Sequence, residues 1–226
     1  MFIKRVLSAA AVCCLCVVAF TGPARGQFGM QHAPTLGGLF NPVIGSSADY
    51  DMTTSKGEKM TLGISIVGSD TINGKQGYWM EIAMTGGKLP QPMYMKSLTV
   101  VDGNSMMTQR MIMMINGTAY QMPDQMVQAN SKPMQTNAMT DGKDLGSETV
   151  TVPAGTFTAD HYKTKDGDDL WIAKNAGPWS MVKMQSHDGT TMVLTKVVHD
   201  AKDQITGTPV PFSPMAMAQA QQAQHH

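Results

Sequence analysis

Apolar side chains recur at every second position over much of this chain. The clearest run extends from Met60 to Ile66, and the same alternation resumes from Tyr78 to Met84. Residues two apart point to the same side of a β-strand, whereas a helix brings together residues three or four apart. The alternation therefore predicts strands that each bury one face.

Turn-forming residue pairs separate these runs. Asn73-Gly74 and Asn116-Gly117 are typical of two-residue hairpins, and Asp166-Gly167 and Asp188-Gly189 mark further tight turns. Pro123 is placed to start one short helix, because proline is tolerated in a first helical turn. The predicted fold class is all-β with a short helix: a curved antiparallel sheet of roughly ten strands that forms an open or half barrel, with a sandwich as the alternative. The predicted strands cover residues 60–66, 78–84, 93–101, 105–115, 118–122, 148–152, 156–164, 169–173, 179–186 and 190–199.

The first 26 residues have the layout of a secretory signal peptide. Lys4 and Arg5 form a basic start, residues 6–20 form an uncharged apolar run, and small residues precede a cleavage point after Gly26. The run is shorter than the roughly 20 apolar residues that a membrane-spanning helix needs. The sequence therefore predicts export by a signal peptide, with the periplasm or outer envelope favoured over the extracellular space.

All three cysteines of the chain lie within this leader. None of Cys13, Cys14 and Cys16 has the small residue before it that lipid attachment prefers, so a lipoprotein signal is the weaker alternative. Three basic residues leave with the leader, so 14 of the 17 Lys and Arg remain against 17 Asp and Glu. The mature chain is expected to form no disulfide. Its slight negative charge argues against nucleic acid as a partner and against more than peripheral membrane contact.

The chain divides into four predicted segments. Residues 1–26 are the signal peptide, residues 27–45 form a flexible Gly- and Pro-containing segment, and residues 46–207 form the antiparallel β domain. Residues 208–226 form a tail rich in Met, Ala and Gln that is predicted to be disordered. The β domain is long enough to bury a sizeable core of its own.

Methionine is the compositional outlier of this chain. There are 22 methionines, and 13 of them fall between Met80 and Met139. The flexible and polarizable thioether suits irregular core packing, an apolar surface that adapts to variable guests, or a soft ion such as Cu(I). The sequence leaves these three interpretations open.

Strand parity groups the methionines by face. Met93 is expected to share a face with Met95, and Met107 is expected to share one with Met111 and Met113. A concave sheet lined in this way would offer an adaptable apolar surface. The candidate ligand-binding residues are Met80, Met84, Met93, Met95, Met107, Met111, Met113 and Trp79.

Trp79, Trp171 and Trp179 are the large aromatic anchors, each within or at the edge of a predicted strand. Core packing is the ordinary role of such residues, and stacking on a ligand is the alternative. Trp79 is a candidate for the second role because Glu81 has the same parity, which places one charge and one aromatic ring on the same face.

Catalytic and metal-binding patterns are missing from the sequence. Outside the tail, the histidines are His32, His161, His187 and His199. They form no H-x-x-x-H or H-E-x-x-H pattern, and no G-x-S-x-G or phosphate-binding glycine loop occurs. His161 follows Asp160 and His187 precedes Asp188, but adjacent strand residues point to opposite faces, so both histidines are interpreted as ordinary surface or strand-end residues. We therefore expect a non-enzymatic protein with no cofactor and no metal-ligand set of this kind.

Two blocks of the sequence resemble exported bacterial domains of unknown function. One is Glu148-Thr-Val-Thr-Val-Pro-Ala-Gly-Thr-Phe-Thr-Ala-Asp-His-Tyr, followed by Asp169-Leu-Trp-Ile-Ala and Trp179-Ser-Met-Val-Lys. The other runs from Tyr78-Trp-Met-Glu-Ile through Met95-Lys to Gln121-Met-Pro, so the similarity covers residues 46–207. Such domains resemble the lipoprotein-carrier half-barrel of LolA and LolB, in which a curved antiparallel sheet wraps an apolar hollow. The resemblance implies that fold and a hollow suited to acyl chains, and it carries over no site residue.

The leading functional hypothesis is an exported, non-enzymatic protein that binds an apolar ligand on a methionine-rich concave β surface. The expected partner is a lipid, an acyl chain or a lipidated protein. A Met-based copper-binding envelope protein and a structural or interaction module without a ligand are the alternatives. A continuous hollow lined by Met80, Met84, Met93, Met95 and Met111 would favour the first hypothesis, and a sealed core would favour the module.

Overall fold

The computed structural model describes residues 40–89, 91–103, 105–135 and 142–213. The predicted signal peptide, most of the predicted flexible segment and the end of the predicted tail lie outside the described residues. The described chain is mostly β-strand with one short helix, and its strands form a curved antiparallel sheet that does not close. This confirms the predicted fold class.

Thirteen strands and one helix make up the described elements. The strands are β1 (Ser47–Thr53), β2 (Lys59–Ile72), β3 (Lys75–Gly86), β4 (Met93–Asp102), β5 (Ser105–Ile115), β6 (Thr118–Gln121), β7 (Met134–Gln135), β8 (Lys143–Val152), β9 (Gly155–Lys163), β10 (Asp169–Ile172), β11 (Met181–Gln185), β12 (Thr191–Val198) and β13 (Val210–Pro211). The helix α1 (Asp124–Asn130) follows Pro123, as predicted, and packs against β5.

Twelve strands lie side by side in the order β13-β6-β5-β4-β3-β2-β1-β12-β11-β10-β9-β8, and β7 pairs with β5. All of these pairings are antiparallel except the short pairing of β13 with β6. Within the described chain, β8 and β13 are the two ends of the sheet. A hydrogen bond shows that the sheet curls near β8. The Ala154 backbone N–H in the β8–β9 turn donates to the Leu194 carbonyl of β12 at 3.3 Å, and this contact bridges over β10 and β11, which lie between β9 and β12.

Two predicted hairpin turns have the expected backbone. Asn73 and Gly74 have φ values of 52° and 75°, and Asn116 and Gly117 have values of 53° and 76°. Two consecutive residues at positive φ define the turn whose twist matches that of the flanking strands. The strands around Asn73-Gly74 are longer than predicted, since β2 continues past Ile66 through a bulge.

The sequence prediction missed β1. Its inward residues Ala48, Tyr50 and Met52 are buried and alternate with Asp49 and Asp51. The strand lies at the centre of the sheet, between β2 and β12. The side of the sheet that carries Tyr50 is called the core face below, and the side that carries Asp51 is called the strap face.

A row of methionines crosses the core face outside the Met80–Met139 block. Met184, Met192, Met52 and Met60 stand directly opposite one another on β11, β12, β1 and β2. Each of them is at most 7% exposed. We call these four residues the sealed row, because their side chains fill the core there with little or no exposure to solvent.

The loop between β10 and β11 packs onto the core face. Its Trp179 side chain has no solvent exposure, and its ring lies 4.8 Å from the ring of Phe40. Gly177 approaches β1 so closely that an added Cβ would lie 2.5 Å from the Cβ of Ala48. Phe40 belongs to the segment predicted to be flexible, so the ordered fold begins earlier than residue 46.

The chain after β12 crosses the strap face. Residues 199–213, called the strap below, begin near Gly45, whose carbonyl accepts a hydrogen bond from the Ala201 N–H at 2.9 Å. Ile205 is buried, and β13 then pairs with β6 at the far end of the sheet. The ordered sheet therefore includes residues beyond the predicted domain boundary at 207.

Candidate functional site

Six of the seven candidate methionines lie together on the core face. Met84 of β3 stands directly opposite Met93 of β4, and Met95 of β4 stands opposite Met113 of β5. Directly opposed residues of neighbouring strands project to the same side of a sheet. The six residues, called the methionine patch below, are Met80, Met84, Met93, Met95, Met111 and Met113.

Met107 does not belong to this patch. The register between β4 and β5 shifts between the pairs Leu98–Arg110 and Thr99–Thr108, which leaves one extra residue in β5. A bulge of one residue reverses the parity of the strand beyond it. The prediction that Met107 shares a face with Met111 and Met113 was therefore wrong, because Met107 lies on the strap face.

Trp79 also lies on the strap face. It shares that face with Glu81, as predicted, and the Lys96 ammonium lies 5.3 Å from the centre of the indole ring. The side chains of the methionine patch project from the other side of the sheet. Trp79 is therefore separated by the sheet from the methionines with which it was grouped.

Exposure differs across the methionine patch. Met80 and Met84 are 6% and 9% exposed, whereas Met93, Met95 and Met111 are only half-buried. Met113 is also half-buried. The patch therefore grades from a sealed edge on β3 to a partly accessible apolar surface on β4 and β5.

A surface groove of about 300 Å³ lies beside β1, the start of β2 and the end of β3. It is lined by Asp51, Met52, Thr53, Lys59, Met60, Thr61, Thr85 and Gly86. Its walls are mixed in polarity, and none of the candidate residues contributes to them.

The most buried acidic side chain of the strap face is Glu81, which is 1% exposed. Its carboxylate accepts hydrogen bonds from the backbone N–H groups of Gln204 at 3.1 Å and Ile205 at 3.0 Å. Lys96, opposite Glu81 on β4, forms an ion pair with Asp203. Burial raises the pKa of Glu81, the bond from Ile205 opposes that rise, and Asp203 adds to it.

His161 has partners that the sequence did not indicate. Its ring stacks on that of Trp171 with 4.4 Å between centres, and its Nε2 lies 3.0 Å from Asp169 Oδ1. Lys183 lies 4.4 Å from the same indole ring, and the indole N–H donates to Glu148. The neighbouring carboxylate in sequence, Asp160, contacts Ser147 instead. The cluster joins side chains from β8, β9, β10 and β11. The order of residues along the chain does not indicate such a cluster.

Asp168 lies in the β9–β10 turn and contacts the β11–β12 turn. Its Oδ1 accepts hydrogen bonds from the Ser186 hydroxyl at 2.8 Å and the His187 backbone N–H at 2.9 Å, and His187 Nδ1 lies 2.9 Å away. Burial raises the pKa of Asp168, but the hydrogen bonds from His187 and Ser186 outweigh it and hold the pKa below its usual value. This arrangement ties the β9–β10 turn to the β11–β12 turn.

Among the described residues, no group of three or more His, Cys, Asp or Glu side chains could hold a metal ion. The described helix α1 has seven residues, and no helix in this part of the chain is long and apolar enough to span a membrane.

The solved structures that are similar to this chain include two bacterial proteins. One is a Bacteroides fragilis protein named as exported and as having a YMCC-like fold, with a TM-score of 0.37, 13% identity, and coverage of 71% of this chain and 99% of that one. The other is a Parabacteroides distasonis protein named as a lipoprotein, with a TM-score of 0.37, 15% identity, and coverage of 71% and 98%. No family model and no curated protein matches the chain. The two names agree with the predicted export, but a likeness at this TM-score carries no argument, and export rests on residues 1–26.

Proposed function

We propose that this protein is an exported, non-catalytic binding protein that holds an acyl chain or a similarly flexible apolar guest against the methionine patch. The observation that carries the proposal is the contrast between two sets of methionines on one face. The sealed row is at most 7% exposed, whereas Met93, Met95, Met111 and Met113 remain half-buried.

The contrast matters because the chain buries methionine fully where a closed core is needed. Half-buried apolar side chains on adjacent strands leave surface that a guest could remove from water, at about 25 cal/mol per Å². Methionine has three rotatable bonds and can fit guests of varied shape. The methionine patch therefore supports binding of a flexible apolar molecule better than it supports recognition of a rigid one.

A titration with a fluorescent fatty-acid probe tests the proposal. Met95→Gln/Met113→Gln keeps the side-chain length but adds two amides that would lose hydrogen bonds to water under an apolar guest. Its affinity for the probe should fall by at least about tenfold, since each unsatisfied amide costs about 1–3 kcal/mol. Met107→Gln is the control, because it makes one substitution of the same kind on the opposite face of β5. Absence of binding by the unmodified protein, or equal losses in both variants, would refute the proposal.

A soft-metal site is the second candidate function. It is favoured by the two directly opposed pairs Met84–Met93 and Met95–Met113, since thioethers are suitable ligands for Cu(I). Methionine-methyl NMR during titration with Ag(I), a stable analogue of Cu(I), separates the two functions. Shifts confined to these four methyl groups at one equivalent of silver would favour the metal, and unchanged methyl signals would exclude it.

Export has its own test. The full chain and a chain that starts at Gln27 would be expressed in a Gram-negative bacterium, and the cells would be fractionated. We expect the full chain in the envelope fraction with Gln27 as its new N-terminus, and the shortened chain in the cytoplasm. Retention of the full, uncleaved chain in the cytoplasm would contradict the signal-peptide prediction.

A further inference from the structure

The strap is attached to the sheet mainly by polar contacts. Ile205 is its fully buried apolar residue, whereas most of its other described side chains are half-buried or exposed. Its middle is fixed by Glu81, which accepts two backbone N–H groups, and by the ion pair between Lys96 and Asp203. We call Glu81, Lys96 and Asp203 the clamp. Docking of the strap therefore depends on the charges of these three side chains.

The clamp holds two carboxyl groups and one ammonium group. Asp203 of the strap and Lys96 of β4 are the charged groups that face Glu81, and its neighbour on β2 is the neutral Ser65. Asp49 of β1 is on the same face, and its carboxylate lies next to Gly63 of β2. When both carboxyl groups of the clamp are ionised, one buried negative charge remains without a cation. A proton on Glu81 removes that charge and leaves a carbonyl oxygen that can still accept from Gln204 and Ile205.

We propose that the strap is a pH-sensitive element, docked most firmly when Glu81 is protonated and loosened when Glu81 is ionised. This inference is independent of the guest proposed for the methionine patch, because the clamp is on the other face of the sheet. Release of the strap would uncover Glu81 and Lys96 and would leave the β6 edge without the two residues of β13 that pair with it. An uncovered sheet edge is a surface on which another strand can pair.

The direction of the pH effect follows from linkage. The pKa of Glu81 is raised when the strap is docked, mainly by burial, so the docked state binds the proton more tightly than the released state. The added stability of docking is complete below the ordinary glutamate pKa of about 4.3 and is lost as pH rises through the raised pKa.

Hydrogen–deuterium exchange followed by mass spectrometry tests the proposal on peptides that cover residues 200–207. After correction for the intrinsic pH dependence of exchange, these peptides should be several-fold better protected near pH 4, below the ordinary glutamate pKa of about 4.3, than near pH 8. In Glu81→Gln, a neutral variant that keeps one acceptor oxygen, protection should be the same at both values. Glu58→Gln is the matched control, because it removes the ion pair with Lys88 away from the strap and should behave like the unmodified protein.

Equal protection of the unmodified protein at the two pH values would overturn the proposal, as would an unchanged pH dependence in Glu81→Gln. Asp203→Asn provides a second route if Glu81→Gln fails to fold. It removes the other carboxylate of the clamp, so it should reduce the pH dependence. An undiminished pH dependence in Asp203→Asn would also overturn the proposal.

Discussion

Replacement of Gly177 by alanine is the most direct test of how the β10–β11 loop closes the core. Gly177 has a φ of 83°, and a Cβ added there would lie 2.5 Å from the Ala48 Cβ and 3.5 Å from both the Ala48 Cα and the Ser47 carbonyl oxygen. Real Cβ atoms do not approach another carbon as closely as 2.5 Å. Gly177→Ala must therefore move the loop or β1.

The expected cost has two parts. A side chain at positive φ costs about 1–2 kcal/mol, and overpacking of a well-filled core costs about 1–3 kcal/mol more. We therefore expect Gly177→Ala to lower the free energy of unfolding by about 2–5 kcal/mol. Gly189→Ala is the matched control, since Gly189 has a φ of 91° and open space within 4 Å of the added Cβ. It should cost only the first part, about 1–2 kcal/mol.

Urea unfolding followed by tryptophan fluorescence measures both losses. Trp179 lies in the same loop and is fully buried, so its emission reports directly on this contact. A lower midpoint with an unchanged slope would show a loss of stability without a change in the surface exposed on unfolding.

A double-mutant cycle identifies the cause. Ala48→Gly removes the atom that the new Cβ would meet, so Gly177→Ala should cost less in that background, with a coupling energy of about 1–3 kcal/mol. If Gly177→Ala and Gly189→Ala lose the same stability and the coupling with Ala48→Gly is absent, the close approach of the loop to β1 is refuted.

Three further variants probe the core and the turns. Met192→Ala, in the sealed row, should lower the free energy of unfolding by about 2–5 kcal/mol because it leaves a cavity. Met134→Ala, at a 41% exposed position, is its control and should change that free energy by less than about 0.5 kcal/mol. Similar urea midpoints for the two variants would contradict a sealed row. Asp168→Asn should cost about 1–3 kcal/mol at pH 7 because hydrogen bonds to an ionised group are lost. Since the pKa of Asp168 is lowered in the fold, its contribution is present above the ordinary aspartate pKa of about 3.9 and is lost as pH falls through the lowered value. The urea midpoints of Asp168→Asn and the unmodified protein should therefore converge as the pH falls below about 4, and a constant gap would argue against this role.

The candidate site was only partly predictable, for a reason visible in β5. Parity assigned Met111 and Met113 to one face correctly, because no irregularity lies between them. The assignment failed for Met107, because the bulge lies between it and Met111. A bulge depends on how two strands pair, and a single strand read by itself does not reveal it.

The polar contacts were the least predictable part. Glu81 could be placed on the face of Trp79, but its partners Gln204 and Ile205 lie more than 120 positions away in the chain. His161 was read beside Asp160, whereas its acidic partners in the fold are Asp169 and Glu148 on the two neighbouring strands. Local sequence order gives no access to such contacts, because strand order and loop crossings bring them together.

The alternation of residues and the Asn-Gly pairs determined the β class and the hairpins of this protein, because both act through contacts between residues near in sequence. The leading 26 residues determined the prediction of export in the same local way. Tertiary packing alone decided which methionines are sealed, which face Met107 takes, and where Phe40, Trp179 and the strap lie. Those features depend on the register and curvature of a sheet whose central strands, β1 and β12, are separated in sequence by most of the fold.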